Sequence, residues 1–158
     1  MSIVGKLYVD GKAFNMLSYS MRFYQSKDIA GQPRGRVNGG LIELKIEAHR
    51  DHIFHHWAVA PEMMKDVEIV FSPVTRISQS RTIKLYDVYL ARIATCFDNY
   101  SVRPMSYTLV LSPGILVDGH VIFKKPWHIT DLESVQSANT DQETTTEQLS
   151  FDIDPEIE

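Results

Sequence analysis

Alternation of apolar and polar residues, repeated along most of the chain, limits the fold more than any other feature of this sequence. LIELKIEAHR (41–50), VEIVFSPV (67–74), RTIKLYDVYLARIATCFD (81–98), SYTLVLSPGIL (106–116) and HVIFKKPW (120–127) all read with a period near two. Such segments turn one face to a core and the other to water, and short turns between them favour antiparallel pairing. KLYVDGKAFNML (6–17) is a hairpin with Asp10-Gly11 as its two-residue turn. About seven or eight strands and one helix fit within roughly the first 128 residues, a density that specifies a mainly β fold, a barrel or sandwich.

The strand after Asp10-Gly11 is long, from Ala13 to about Gln25, and its apolar face switches near Leu17, which predicts a β-bulge. Gly31, Pro33, Gly35, Gly39 and Gly40 follow within ten residues; they exclude a regular helix and argue against a buried strand. Residues 26–40 therefore read as an extended, basic loop in front of the half-buried strand that carries Leu41, Leu44 and Ile46. Asp51 is a suitable N-cap for the one convincing helix, whose Ile53, Phe54, Trp57 and Ala58 recur at helical spacing before Pro61 ends it. In the long segment 81–98, Ile83, Leu85, Asp87, Tyr89, Ala91 and Ile93 share one face, and Cys96 reads as a buried strand thiol.

Charge divides the chain. Residues 1–130 hold all 16 Lys and Arg and 11 of the 20 acids, a net of +5, whereas residues 131–158 hold nine acids and no Lys or Arg. This predicts a β domain over 1–130 and an acidic tail over 131–158, rich in Ser, Thr and Gln, which stays flexible or docks as a peptide. Its end, LSFDIDPEIE, alternates apolar and acidic residues, making Phe151, Ile153 and Ile157 the docking candidates. No apolar run approaches the ~20 residues of a membrane helix, and MSIVGKLYVDGK lacks the apolar stretch of a secretory signal. The expectation is a chain folded in the cytoplasm with no membrane partner.

Catalytic chemistry finds no foothold. His49, His52, His55 and His56 cluster, and His52 and His56 stand at i and i+4, but no third ligand or general base completes a metal site; Ile53 stands where a metalloprotease helix has Glu. Glu43 and Glu47 share a strand face about 13 Å apart, too far for paired acid–base work. The segment GQPRGRVNGG fits neither phosphate-loop pattern and precedes a strand, and an excess of +5 without interleaved aromatics is weak for nucleic acid. No enzyme activity, metal, cofactor or nucleic-acid partner is expected. What remains is a β shell with a long exposed segment, the form of a building block or a binding module.

The run KLYVDGKAFNMLSYSMRFYQSKDIAGQPRGRVNGGLIELKIEA resembles the Hcp-like tube proteins (TssD) of type VI secretion systems, in the branch found in Bacteroidetes. Similar elements occur in the same order: Asp10-Gly11-Lys12, Phe14, Asp28-x-x-Gly31-x-Pro33, Gly39-Gly40, Trp57 in the helix, YDVYLARIATCFD and a closing Trp127. The resemblance covers roughly residues 3–128. It implies an Hcp-like β-barrel with a single α-helix and an extended loop between the second and third strands. It implies hexameric rings stacked into a hollow tube that carries effectors and is propelled by a contractile sheath, with spike and baseplate partners. The chain would assemble in the bacterial cytoplasm and leave the cell on firing without a signal peptide. Asp28, Gly31, Pro33, Arg34, Arg36, Gly39 and Gly40 become candidates for the subunit interface. The acidic tail and the His-rich helix depart from the family pattern. The competing reading is a monomeric β-barrel module whose acidic tail recruits a protein partner.

Overall fold

The computed structural model describes residues 3–74 and 80–136. Among these residues, eight strands and a helix up to Lys124 follow in the order β1 (Ile3–Val9), β2 (Lys12–Lys27), β3 (Pro33–Glu47), α1 (Ile53–Val59), β4 (Lys65–Pro73), β5 (Arg81–Phe97), β6 (Met105–Ser112), β7 (Ile115–Asp118) and β8 (Val121–Lys124). All pairings are antiparallel, in the order β4-β1-β2-β3-β6-β5-β7-β8, and β4 also pairs with β5. That last pairing closes β4, β1, β2, β3, β6 and β5 into a barrel. β6 and β7 form one ribbon along β5: Tyr89↔Ser112 continues as Tyr86↔Ile115. The ribbon is interrupted at Pro113-Gly114, where the Gly114 N–H donates to the carbonyls of Tyr86 and Asp87.

The alternating residues fill the interior. Leu7, Val9, Ile42, Leu44, Ile46, Val67, Ile69, Ile83, Leu85, Leu109 and Leu111 are buried, and each contributes about 1.5–3 kcal/mol by leaving water. At seven residues α1 is too short to persist alone. Burial of Phe54 and Trp57 holds it, Trp57 Nε1 donates to the Met63 carbonyl at 2.9 Å, and Phe54 meets Phe14 edge-on at 4.7 Å and Tyr107 at 6.5 Å. Phe14 and Tyr107 stand near the starts of β2 and β6, so α1 covers that end of the barrel.

Several local expectations hold. Val9 pairs with Lys12 across a turn in which Asp10 and Gly11 have φ of 50° and 75°, the two left-handed residues of a tight hairpin turn. The expected bulge in β2 lies between Met16 and Ser18.

Others need correction. The segment 26–40 is not an open loop: the turn is only 28–32, and 33–40 is strand, paired Lys27↔Pro33, Ser26↔Arg34, Tyr24↔Asn38 and Phe23↔Gly39. β6 takes up β3 only from Ile42 onward, so β2 and β3 run on as a two-stranded arm. In β5 the inward series is Ile83, Leu85, Val88 rather than an unbroken set of odd positions, because Asp87 adopts a left-handed φ of 54° and a register shift sets Val88 opposite Lys65. A further shift between Leu90 and Arg92 leaves the second half of β5 largely exposed, Cys96 included. The helix begins one residue later than expected, with His52 in the cap position; Asp51, just before it, pairs with Lys12 and also accepts the Ile53 N–H at the start of the helix.

By its internal contacts the chain divides into Met1–His128 and Ile129–Glu158. In the second part residues 132–136 are helical, with Asp131 Oδ1 accepting the Glu133 N–H at 3.1 Å. The tail candidates Phe151, Ile153 and Ile157 lie outside the described residues.

At Gly39 φ is +133°, and a Cβ there would lie 2.3 Å from the Arg22 carbonyl oxygen and 2.7 Å from the Phe23 Cα. Both obstacles are backbone, so Gly39→Ala is expected to cost at least about 2 kcal/mol, read from the urea midpoint. The Lys12 hydrogen bond and charge, with a smaller part from the Ile53 N–H, hold the Asp51 carboxyl below its ordinary 3.8. A lowered carboxyl stabilises the fold above that value and loses its contribution as pH falls through the folded-state value. Urea titrations should therefore show Asp51→Asn weaker than the parent at pH 6 and the two converging near pH 2.

Candidate assembly surfaces

The arm is ordered to its tip. Asp28 Oδ1 accepts the N–H groups of Ala30 at 2.9 Å and Gln32 at 2.8 Å, and the Asp28 backbone N–H donates to the Gln32 carbonyl at 2.9 Å. An aspartate that closes its own turn leaves the tip with few conformations to lose on binding. Ile29, held on this turn, is fully exposed, and Tyr24 and Val37 are exposed along the arm. Pro33 opens β3, the Gln25 side chain donates to the Gly35 carbonyl at 3.1 Å, and Arg34 and Arg36 are exposed to solvent. Gly39 and Gly40 lie where the arm rejoins the barrel, Gly40 close under the Phe123 ring. The sequence-predicted residues thus occupy a single element, with Asp28 and Gly31 at its tip, Pro33, Arg34 and Arg36 along it and Gly39-Gly40 at its base.

A second exposed apolar group was not anticipated. Glu47 ends β3 opposite Ser106, so the β5–β6 turn lies at the other end of β3 from the arm tip, at most about 50 Å away along the strand. There Asp98 Oδ1 accepts the Tyr100 N–H at 3.0 Å and the Asp98 N–H donates to the Pro104 carbonyl at 2.7 Å. Tyr100 and Val102 project from this turn almost fully exposed, flanked by the exposed Phe97 and Met105. The signal was present in DNYSVRPMS: two apolar residues inside a turn built of Asp, Asn, Ser and Pro.

Between the arm base and β8 lies a groove of about 780 Å³ that includes Val37, Leu41, Phe123 and Trp127. Lys125 lines it too, its Nζ 3.1 Å from Ser112 Oγ and 5.5 Å from the Trp127 ring; burial holds its pKa below the ordinary lysine value.

The histidines separate. His49 Nδ1 accepts the Asp51 N–H at 3.2 Å and its ring meets Phe14 edge-on. His55 packs edge-on against Tyr107 with Nε2 3.5 Å from Thr95 Oγ1, while His52 and His56 are exposed. Among the described residues no group of three His, Cys, Asp or Glu is placed to hold an ion. Glu47 is occupied by Arg103 at 2.7 Å and Asn15 at 3.0 Å. Among the described residues no helix is long and apolar enough to cross a membrane.

The sequence profile of the family described as hemolysin coregulated protein Hcp (TssD) matches residues 1–128. This chain belongs to the Hcp (TssD) family. Among solved structures, Hcp1 from Flavobacterium johnsoniae is similar with a TM-score of 0.71 at 23% identity, covering 77% of this chain and 99% of that one. Hcp1 from Salmonella typhimurium gives 0.61 at 14% identity, over 73% and 85% of the two chains. A chain of the sheath–tube complex of the extracellular contractile injection system PVC gives 0.50 at 16%, over 74% and 88%. No curated protein matches. At these identities the structural likenesses speak for the fold alone. The family match stops where the first unit of the chain stops, and residues 129–158 lie beyond it.

Asp28→Ala removes the acceptor for two tip N–H groups, worth about 1 kcal/mol locally. Amide exchange at Ala30 and Gln32 should quicken severalfold while the melting temperature of the barrel falls by no more than about 2–3 °C.

Proposed function

We propose that this chain is a subunit of the inner tube of a type VI secretion system. Six copies close into a ring, and rings stack head to tail into a hollow tube that carries effectors. A contractile sheath drives the tube out, with spike and baseplate proteins as further partners. The role is structural, with no catalysis. The chain is assembled in the bacterial cytoplasm and leaves the cell on firing. The arm bearing Asp28, Gly31, Pro33, Arg34, Arg36, Gly39 and Gly40 reaches the next subunit, and residues 131–158 are an acidic appendage to the barrel domain.

The observation that carries this reading, beyond family membership, is the placing of apolar side chains at opposite ends of one barrel. Ile29 at the arm tip and Tyr100 with Val102 at the other end are almost fully exposed, yet both turns are tied by an aspartate. An ordered turn that holds apolar surface in water is costly for a monomer and useful for a chain that meets copies of itself. Contacts between opposite ends are heterologous, the kind that builds rings and filaments rather than two-fold dimers.

Native mass measurement and negative-stain images of the purified chain should show six-fold rings with a central hole, and stacks at higher concentration. Ile29→Glu combined with Tyr100→Glu should raise the concentration needed for stacking at least about tenfold, equivalent to about 1.4 kcal/mol. Monomers at every concentration would favour the single binding module instead.

A further inference from the structure

The groove between β8 and the arm base has features that a tube wall alone does not require. β8 pairs with β7 through Ile115↔Lys124 to Asp118↔Val121, and it is the last strand in the sheet order. Among the described residues its outer edge has no strand partner. Next to that edge the groove offers apolar surface: Leu41 is half exposed and Val37 and Trp127 are more than one-third exposed. Its cations are Arg36, Lys124 and Lys125, and no Asp or Glu lines it. Lys125 is held beside the Trp127 ring and bonded to Ser112, so one cation is already positioned. A site of this kind suits an extended peptide that presents apolar side chains on one face and carboxylates on the other.

The same chain carries a segment of that chemistry. In LSFDIDPEIE, Leu149, Phe151 and Ile153 alternate with Ser150, Asp152 and Asp154, and Glu156 and Glu158 follow. In an extended conformation the three apolar side chains point one way and the two aspartates the other. The segment has four acids and no base; the groove has three bases and no acid.

We propose that the groove beside β8 receives residues 149–158 of a neighbouring copy, which add to the β8 edge as a strand. Phe151 and Ile153 lie on the Leu41 and Trp127 surface, and Asp152 and Asp154 meet Arg36 and Lys124. The neighbouring copy rests on the tube reading above. In a stack every copy supplies one groove and one acidic segment, at an effective concentration on the order of millimolar. The tail then acts as a tie between subunits that loosens as salt screens its charges.

The test is proximity cross-linking in the full chain. Exposed Cys96 is first replaced by Cys96→Ser; Leu41→Cys and Phe151→Cys are then introduced together and treated with a short bis-maleimide. The expected result is a ladder of covalently linked multimers on a denaturing gel. Either cysteine alone should give no species larger than a dimer. Arg36→Glu with Lys124→Glu, or an excess of free peptide 149–158, should reduce the ladder at least tenfold. If Leu41→Cys disturbs the barrel, Val37→Cys replaces it. Unlinked monomer, an internally linked monomer, or a ladder indifferent to the charge reversals overturns the proposal. Negative-stain images of the same samples separate the two readings: rings without a ladder refute the tail contact alone, and absent rings refute the tube.

Discussion

The pairing of β4 with β5 is the contact on which the rest of the molecule depends. It joins the two ends of a run of strands, so that backbone N–H and C=O groups otherwise left on the edges of β4 and β5 find partners. Closure also defines an inside. The alternate residues of β1, β3, β4 and β6 then bury Leu and Ile on one side and leave Glu, Lys and Thr on the other. The short helix completes the enclosure by setting Phe54 and Trp57 over one end, where its own propensity for helix would not keep it folded.

A closed shell leaves few edges, and this one keeps its exposed apolar side chains where closure does not apply. β2 and β3 continue past their neighbours as an arm, the β5–β6 turn extends at the opposite end, and β8 adds a strand outside the barrel. The two turns share a device: an aspartate whose carboxylate takes the N–H groups of its own turn, Asp28 in one and Asp98 in the other. Each presents apolar side chains without the entropy of a loose loop. The same economy suits a subunit that meets identical copies repeatedly in one geometry.

Where the sequence misled, the cause is the same each time. Glycine and proline between 31 and 40 read as a loop because they are poor strand residues, yet Gly39 and Gly40 take positive φ within or beside a paired arm. A two-stranded arm exposed on both faces has no apolar alternation to reveal it. In β5 the bulge at Asp87 changes which parity faces inward, and only the register against β4 makes that visible. Cys96 followed the same error to the wrong side of the sheet. Asp51 does take the Ile53 N–H at the helix start, but its second partner is Lys12, 39 residues earlier, and a contact between residues that distant leaves no trace in local pattern.

By itself, the sequence determined the class of fold, the hairpin at Asp10-Gly11, the bulge after Met16, the buried stripe of the helix and the charge boundary near residue 130. Each of these depends on residues close together in the chain, or on the fact that a strand has two faces and one of them must leave water. Only the tertiary structure decided that the barrel closes through β4 and β5, that the segment before Leu41 is a paired arm, and that Ile29 and Tyr100 lie at opposite ends. Those outcomes depend on which strand lies beside which, and strand neighbours are chosen by packing over the whole core rather than by any local run of residues.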